Sequence, residues 1–390
     1  MINPLIIMLL VSVVTLFKLS KNLDGKFVFL YFSSFFFLFV AFFLTLQISD
    51  LFAFSYGDAT YYHMGGESVY RTIASGGSLY EALFSYTWEP KYWGFIYLNY
   101  LSFDLYPDSA IFQSVILKVF NFLLWSIFLF HAINNVPGFS LSNNKMIYAL
   151  ILMSIFPIFL NYRDILVAVS FYFFCYFTFL KRNYVFVIMT IIAMYYFRRE
   201  MIPLMLVGVM VSYFSRFVYD RIYRFGLILF SIVSLAICIV LVYLIGHDRF
   251  SLDALIKLPL SMIGTSPFQV IALYLDGESY YQGRVFNHLA DVLFSFVWVY
   301  LFYSYVKLLV KKNINELDSL LPVYFSIFVF IFNLVAYTLI NDGFQSRVKV
   351  SIMSLFVFMY LPKSKFSLVA ALMSLTLFFL VAFRNLRWVL

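Results

Sequence analysis

The stretch 157-PIFLNYRDILVAVSFYFFCYFTFLKRNYVFVIMTIIAMYYFRREMIPLML-206 decides the fold. Long uncharged apolar runs alternate with three short charged turns, 161-NYRD-164, 181-KR-182 and 197-FRRE-200. Uninterrupted apolar runs of this kind predict membrane-spanning helices. The runs 184–197 and 201–214 are fourteen residues each. At 1.5 Å per residue such a run covers roughly 21 Å of a hydrocarbon core about 30 Å thick. Arg198, Arg199 and Glu200 are therefore expected below the membrane surface. Charge at that depth faces a water-filled cavity or a partner and marks function.

The whole chain shares this character. Apolar residues make up 64% of 390, aromatics 22% and charged residues 12%, with a mean hydropathy of +0.92. A soluble domain carries about 25% charged residues. The reading is an all-α, polytopic integral membrane protein, one membrane domain over residues 1–390. A transmembrane barrel would show segments of about ten residues with alternating polarity, and the chain has none. Nor does the first apolar run, 2-INPLIIMLLVSVVTLF-17, have the basic start or small-residue cleavage site of a signal peptide, so it reads as a retained helix. Cys175 and Cys238 both lie inside apolar runs, and the four histidines are scattered. Neither a disulfide framework nor a metal site is indicated.

Apolar runs fall near 2–17, 27–47, 109–133, 146–161, 165–180, 184–197, 201–214, 226–246, 292–310, 320–340, 350–361 and 366–383, giving about twelve spans. Cytoplasmic loops are enriched in Lys and Arg. That places the turn holding Lys18, Lys21 and Lys26 inside, and alternation then puts Lys181–Arg182, Arg216/Arg221/Arg224, Lys311–Lys312 and Lys363/Lys365 inside as well. The net charge of +8 is explained by these flanks without nucleic acid. Arg384 and Arg387 fall outside, against the rule. A single long helix kinked at Pro203 would reverse every later loop and leave the lysine pairs outside, so two helices are preferred.

Two long outer stretches result, about 48–108 and 247–291, expected to carry short interfacial or re-entrant helices. The segment 58-DATYYHMGGESVYR-71 suits an interfacial helix with Asp58 as its N-cap. The apolar part of 87-TWEPKYWGFIYLNYLSFDLYP-107 is short for a crossing and favours a re-entrant or surface-lying helix. Tyr61, Tyr62, Trp88 and Trp93 fit an interfacial aromatic belt or sugar stacking. The loop 276-DGESYYQGRVFNH-288 reads as solvated, with a mobile cover as its functional counterpart.

The outer turns 161–164, 197–200 and 341-NDGFQSRVK-349 all carry arginine where orientation bias disfavours it. Three on one face point to a shared site. A lipid-linked sugar phosphate fits it: the tail needs hydrocarbon, the phosphates need guanidinium groups, and the sugar projects outward. Arginine forks match phosphate oxygens in bidentate fashion. Fixed arginines also stabilise the charge that grows on a departing phosphate. A carboxylate accepts the proton of an incoming hydroxyl. Asp58, Glu67 and Glu200 are the candidate bases, and His63, Arg71, Glu89, Lys91, Asp164 and Arg284 are further candidate substrate contacts.

The early acid in 58-DATYYH-63, followed by 88-WEPKYWGFIYLNYLSFDLYP-107, resembles the first outer loop of membrane glycosyltransferases of the GT-C superfamily. The arginine turn, lysine-rich inner turn and second polar turn of 157–206, with 343-GFQSRVKVSIM-353, resemble the surface-polysaccharide polymerases of the Wzy and EpsG type. The resemblance implies inverting, metal-independent transfer without a cofactor, from an undecaprenyl diphosphate-linked glycan donor to a lipid-linked acceptor. It implies the periplasmic face of a bacterial inner membrane and a chain-length regulator as a candidate partner. By position it implies Arg163, Arg198, Arg199 and Arg347 as phosphate ligands and Asp58 as the first-loop acid; Lys349, in the third arginine turn, is a further candidate phosphate ligand. The early outer loop is the larger here, whereas those polymerases often carry theirs late. Addition of a single sugar from undecaprenyl phosphate is therefore the alternative. A lipid-linked oligosaccharide flippase is the alternative of another class, although no internal repeat is evident.

Overall fold

The computed structural model describes residues 3–48, 58–139, 163–219, 226–246, 320–340 and 351–359, with Leu301 and Val306. Among these residues every regular element is helical and no strand occurs. The chain divides into two compact units. The first is Met1–Val136, Ser154–Ser170 and Ile188–Ile202; the second is Pro137–Met153, Phe171–Val187 and Pro203–Leu390.

Helices stand where the apolar runs predict them: α1 (Pro4–Ser20), α2 (Gly25–Ile48), α6 (Ala110–Asn135), α7 (Asp164–Cys175), α8 (Tyr184–Arg198), α9 (Met201–Tyr219), α10 (Gly226–Gly246) and α11 (Leu321–Ile340). The runs 146–161 and 366–383 lie outside the described residues, as does all of 292–310 but Leu301 and Val306. The early outer stretch holds α3 (Asp58–Ala74), α4 (Leu79–Tyr86), a 3-10 turn (Pro90–Tyr92) and α5 (Trp93–Leu105). α8 stops at Arg198 and α9 starts at Met201. Pro203 falls in the first turn of α9, where a missing N–H costs nothing.

In the first unit, local rules set the helix starts and side-chain contacts set their directions. The Asn3 carboxamide oxygen accepts from the Leu5 N–H at 2.8 Å, and Pro4 opens α1. The Asn3 Nδ2 donates to the Leu101 carbonyl and to Asp104, tying the start of α1 to the end of α5. Asn134 near the end of α6 donates to the Leu19 carbonyl near the end of α1. Gln113 near the start of α6 donates to the Tyr106 carbonyl, just beyond α5. α1 and α6 therefore run side by side in the same direction. α2 runs the other way, pairing Phe27 with Phe130, Tyr31 with Ser126 and Phe35 with Phe122.

α5 is buried within this unit through Phe95, Ile96, Leu98, Asn99, Leu101, Ser102 and Phe103. Its partner α3 approaches closely because of a glycine pair. A Cβ at Gly66 would sit 2.5 Å from the Asn99 Cβ, and one at Gly65 would press on the Tyr86 ring at 2.7 Å. Small residues at helix crossings allow such backbone approach.

The second unit contains a π-helical turn (Tyr176–Leu180) that closes the apolar run of α7. α10 packs on α11, with the Phe230 ring 4.8 Å from that of Tyr324. Gly208 of α9 faces the Phe325 ring, which a Cβ would meet at 2.9 Å.

Large apolar side chains also point outward. On α1 these are Ile7, Leu10, Val11, Val13, Val14 and Phe17, and on α8 Val185, Ile188, Met189 and Ile192, each at least half exposed. By length and composition α6 is, among the described residues, the one helix long and apolar enough to cross a membrane. Pro4–Ser20, Asp164–Leu180, Tyr184–Arg198, Met201–Arg216, Leu227–Val240 and Leu321–Ala336 are apolar but shorter.

Candidate functional site

Two of the three arginine turns, 163–164 and 198–200, meet in the first unit beside the 3-10 turn of the early outer stretch. Arg198 ends α8 and Asp164 opens α7. The Arg198 Nη1 donates to the Asp164 Oδ1 at 2.9 Å, and both side chains are less than a tenth exposed. The Arg198 Nε lies 3.4 Å from the Glu200 Oε1, whose side chain is 45% exposed. Arg198, a predicted phosphate ligand, is thus engaged by two carboxylates of the protein itself.

Arg163 is arranged differently. Its guanidinium carbon sits 5.2 Å from the centre of the Tyr92 ring and 5.7 Å from that of Tyr62. Cation–ring attraction at such distances is worth about 0.5–1 kcal/mol at exposed sites and more when desolvated. Its Nη1 is buried without a hydrogen-bond acceptor, and its side chain has no carboxylate partner among the described residues. An unsatisfied buried donor costs about 1–3 kcal/mol, and more when charged. An anion supplying the acceptor would remove that cost.

The 3-10 turn is held by Trp93, whose indole N–H donates to the Thr87 carbonyl at 2.8 Å. It presents Lys91, with Nζ 2.6 Å from the Glu89 Oε2 and 4.8 Å from the Tyr92 ring centre. Burial alone would lower the pKa of Lys91. Glu89 and Tyr92, with the nearby Glu200 carboxylate, outweigh that and hold it above the ordinary lysine value. Lys91 is a fixed cation at neutral pH. Tyr61 and Tyr86 complete an aromatic wall: Tyr61 packs on Tyr62, Tyr86 and Tyr92 with ring centres 5.2 to 5.7 Å apart.

An apolar cleft of about 280 Å³ adjoins the turns, lined by Met8, Leu83, Trp93, Gly94, Tyr196 and Phe197 among others. Met8 belongs to the first half of α1, so the turns lie toward the end of the bundle where α1 begins. Lys18, Lys21 and Lys26 mark the opposite end. Gly94 admits the contact, since a Cβ there would fall 2.8 Å from the Phe197 ring and 2.9 Å from the Tyr196 carbonyl.

The other predicted residues stand apart or are not described. Glu67 and Arg71 pair with each other one turn apart on α3 and do not join the cluster. His63 stacks on Phe103 at 4.8 Å. Burial lowers its pKa from 6.5 to about 4, against the opposing pull of Glu67, so it is neutral at physiological pH. Asp58 opens α3, and its side chain lies outside the described set. Arg199 is exposed. Arg284, Arg347 and Lys349, and with the last two the third arginine turn, lie outside the described residues. Tyr92 is the partner that the sequence reading missed; its place between Lys91 and Trp93 is the available signal.

Comparison with protein-family models, with curated proteins and with solved structures gives no match to this chain.

Proposed function

We propose that this chain is a polytopic membrane glycosyltransferase that polymerises a surface polysaccharide such as O-antigen. It takes glycan from undecaprenyl diphosphate and adds it to a lipid-linked repeat unit on the periplasmic face of a bacterial inner membrane. The observation that carries the reading is Arg163, a cation lying over two adjacent tyrosine rings with a buried N–H that lacks an acceptor. It stands in a cluster built from three separate turns, at the end of its unit away from the basic 18–26 turn. The outward apolar faces of α1 and α8 suit lipid contact. The shared direction of α1 and α6, opposite to α2, agrees with the crossing order expected for about twelve spans.

In this reading the donor diphosphate lies against Arg163, with Arg199 and Lys91 near its outer oxygens. The bond between the anomeric carbon and the diphosphate oxygen breaks, and the departing undecaprenyl diphosphate carries charge that the guanidinium stabilises. The acceptor hydroxyl forms the new bond to the same carbon from the opposite side, inverting it. Its proton passes to a carboxylate. Glu200 suits that role better than Asp164, because it is partly exposed and only loosely held by Arg198. Arg347 and Lys349 are further proposed phosphate ligands, and Asp58 is the other proposed base, Glu67 being held by Arg71 on α3.

Electrophoresis of surface glycan from a deletion strain tests the proposal. Single-repeat lipopolysaccharide without a ladder is the expected outcome. A full ladder with altered antigenicity would assign a single-sugar transferase instead, and loss of both forms a flippase.

A further inference from the structure

Tyr61 has a position that phosphate binding does not use. Its ring centre is 5.7 Å from that of Tyr62 and 5.6 Å from that of Tyr92, the two adjacent rings that the Arg163 guanidinium lies over. Tyr62 is buried, whereas Tyr61 is 38% exposed. Tyr61 and Arg163 thus border the same aromatic pair, one a part-exposed ring and the other a donor without an acceptor. We infer that Tyr61 is the platform for the first sugar of the donor, the one bonded to the diphosphate.

This rests on the phosphate reading of Arg163 given above. A sugar one bond from the phosphate must lie near the guanidinium, and Tyr61 is the exposed ring of the wall that Arg163 adjoins. The negative face of an aromatic ring attracts the weakly positive C–H groups that a pyranose presents on its flatter side. The contact needs a flat ring and no hydroxyl. Tyr61 is then a specificity-determining residue: it favours donors with an unobstructed C–H face and leaves bond making to other groups.

The test uses the full-length protein in nanodiscs and two probes. One is the undecaprenyl-diphosphate-linked glycan extracted from the producing cells, the other undecaprenyl diphosphate without sugar. The wild type should bind the glycan-bearing lipid roughly three- to tenfold more tightly than the bare one, the size of one aromatic contact. Tyr61→Leu, which keeps apolar bulk without a flat face, should erase that margin and leave affinity for the bare lipid unchanged. Tyr61→Phe should retain the margin. Folding of these variants is favoured because Tyr86 donates to the backbone carbonyl of residue 61, at 3.0 Å, and not to its side chain. A margin that survives Tyr61→Leu, or one absent from the wild type, overturns the inference. Arg163→Ala should weaken both lipids equally. If it weakens neither, the phosphate reading fails as well.

Discussion

The guanidinium of Arg198 and the carboxylate of Asp164, 34 positions apart in the chain, form a hydrogen-bonded ion pair at 2.9 Å that is almost wholly shielded from solvent. Removing one member of a buried pair strands the other charge and costs about 3–5 kcal/mol. Arg198→Ala and Asp164→Ala should each lower the thermal unfolding midpoint sharply in detergent. The Asp164→Leu/Arg198→Met double variant should recover most of the loss. Additive losses in the double variant would mean that the two side chains act independently.

Arg163 should behave in the opposite way. Its side chain has no ion pair to lose among the described residues, so Arg163→Ala should change the unfolding midpoint little. Chain extension should fall by about two to three orders of magnitude, the usual loss for a donor that stabilises a leaving anion. Arg163→Lys keeps the charge but not the planar fork or its contact with the Tyr62 and Tyr92 rings, and should rescue poorly. A normal ladder from Arg163→Ala, at wild-type protein levels, would remove this residue from the chemistry.

The α3–α5 crossing depends on Gly66. Adding a methyl group there drives a contact of 2.5 Å into Asn99 and 2.8 Å into the adjoining backbone. Overpacking of this kind typically costs about 1–3 kcal/mol. Gly25→Ala, with open space at its Cβ, is the control. Equal unfolding midpoints for the two variants would contradict the close crossing.

His63 makes stability depend on pH. Its folded value, about 4, lies below the unfolded value of 6.5 because burial disfavours the charged ring. Between these values the unfolded chain holds the extra proton, so stability is full above about pH 6.5, falls as pH drops, and levels off below about 4. His63→Phe keeps an aromatic ring against Phe103 and should flatten that slope in melts recorded from pH 4 to 7. An unchanged slope would assign it to other groups.

The helices were legible because uncharged runs such as 184–197 have one stable conformation in an apolar setting. The meeting of the 163–164 and 198–200 turns was legible in kind, since both interrupt long apolar runs with charge that needs a partner. Their division of labour was not. Which arginine pairs with Asp164, and which rings Arg163 meets, are set by contacts made only when distant segments pack. α4 was missed although 78-SLYE-81 has the pattern of a capping box, which the structure forms between Ser78 and Glu81. Its eight residues are too short for periodicity to reveal.

Lys91, Arg163, Arg198 and Arg199 stand among Glu89, Asp164 and Glu200, four cations against three anions. A constellation with a single surplus positive charge projects little field past the Debye length of about 8 Å at physiological ionic strength. It cannot draw a headgroup across the membrane surface. Under the proposed function the encounter then depends on two-dimensional diffusion within the leaflet, and added salt should barely slow it. Once a doubly charged guest settles, the surplus of negative charge must be relieved by loosening one resident carboxylate, so arrival of the donor itself would free an acid–base group.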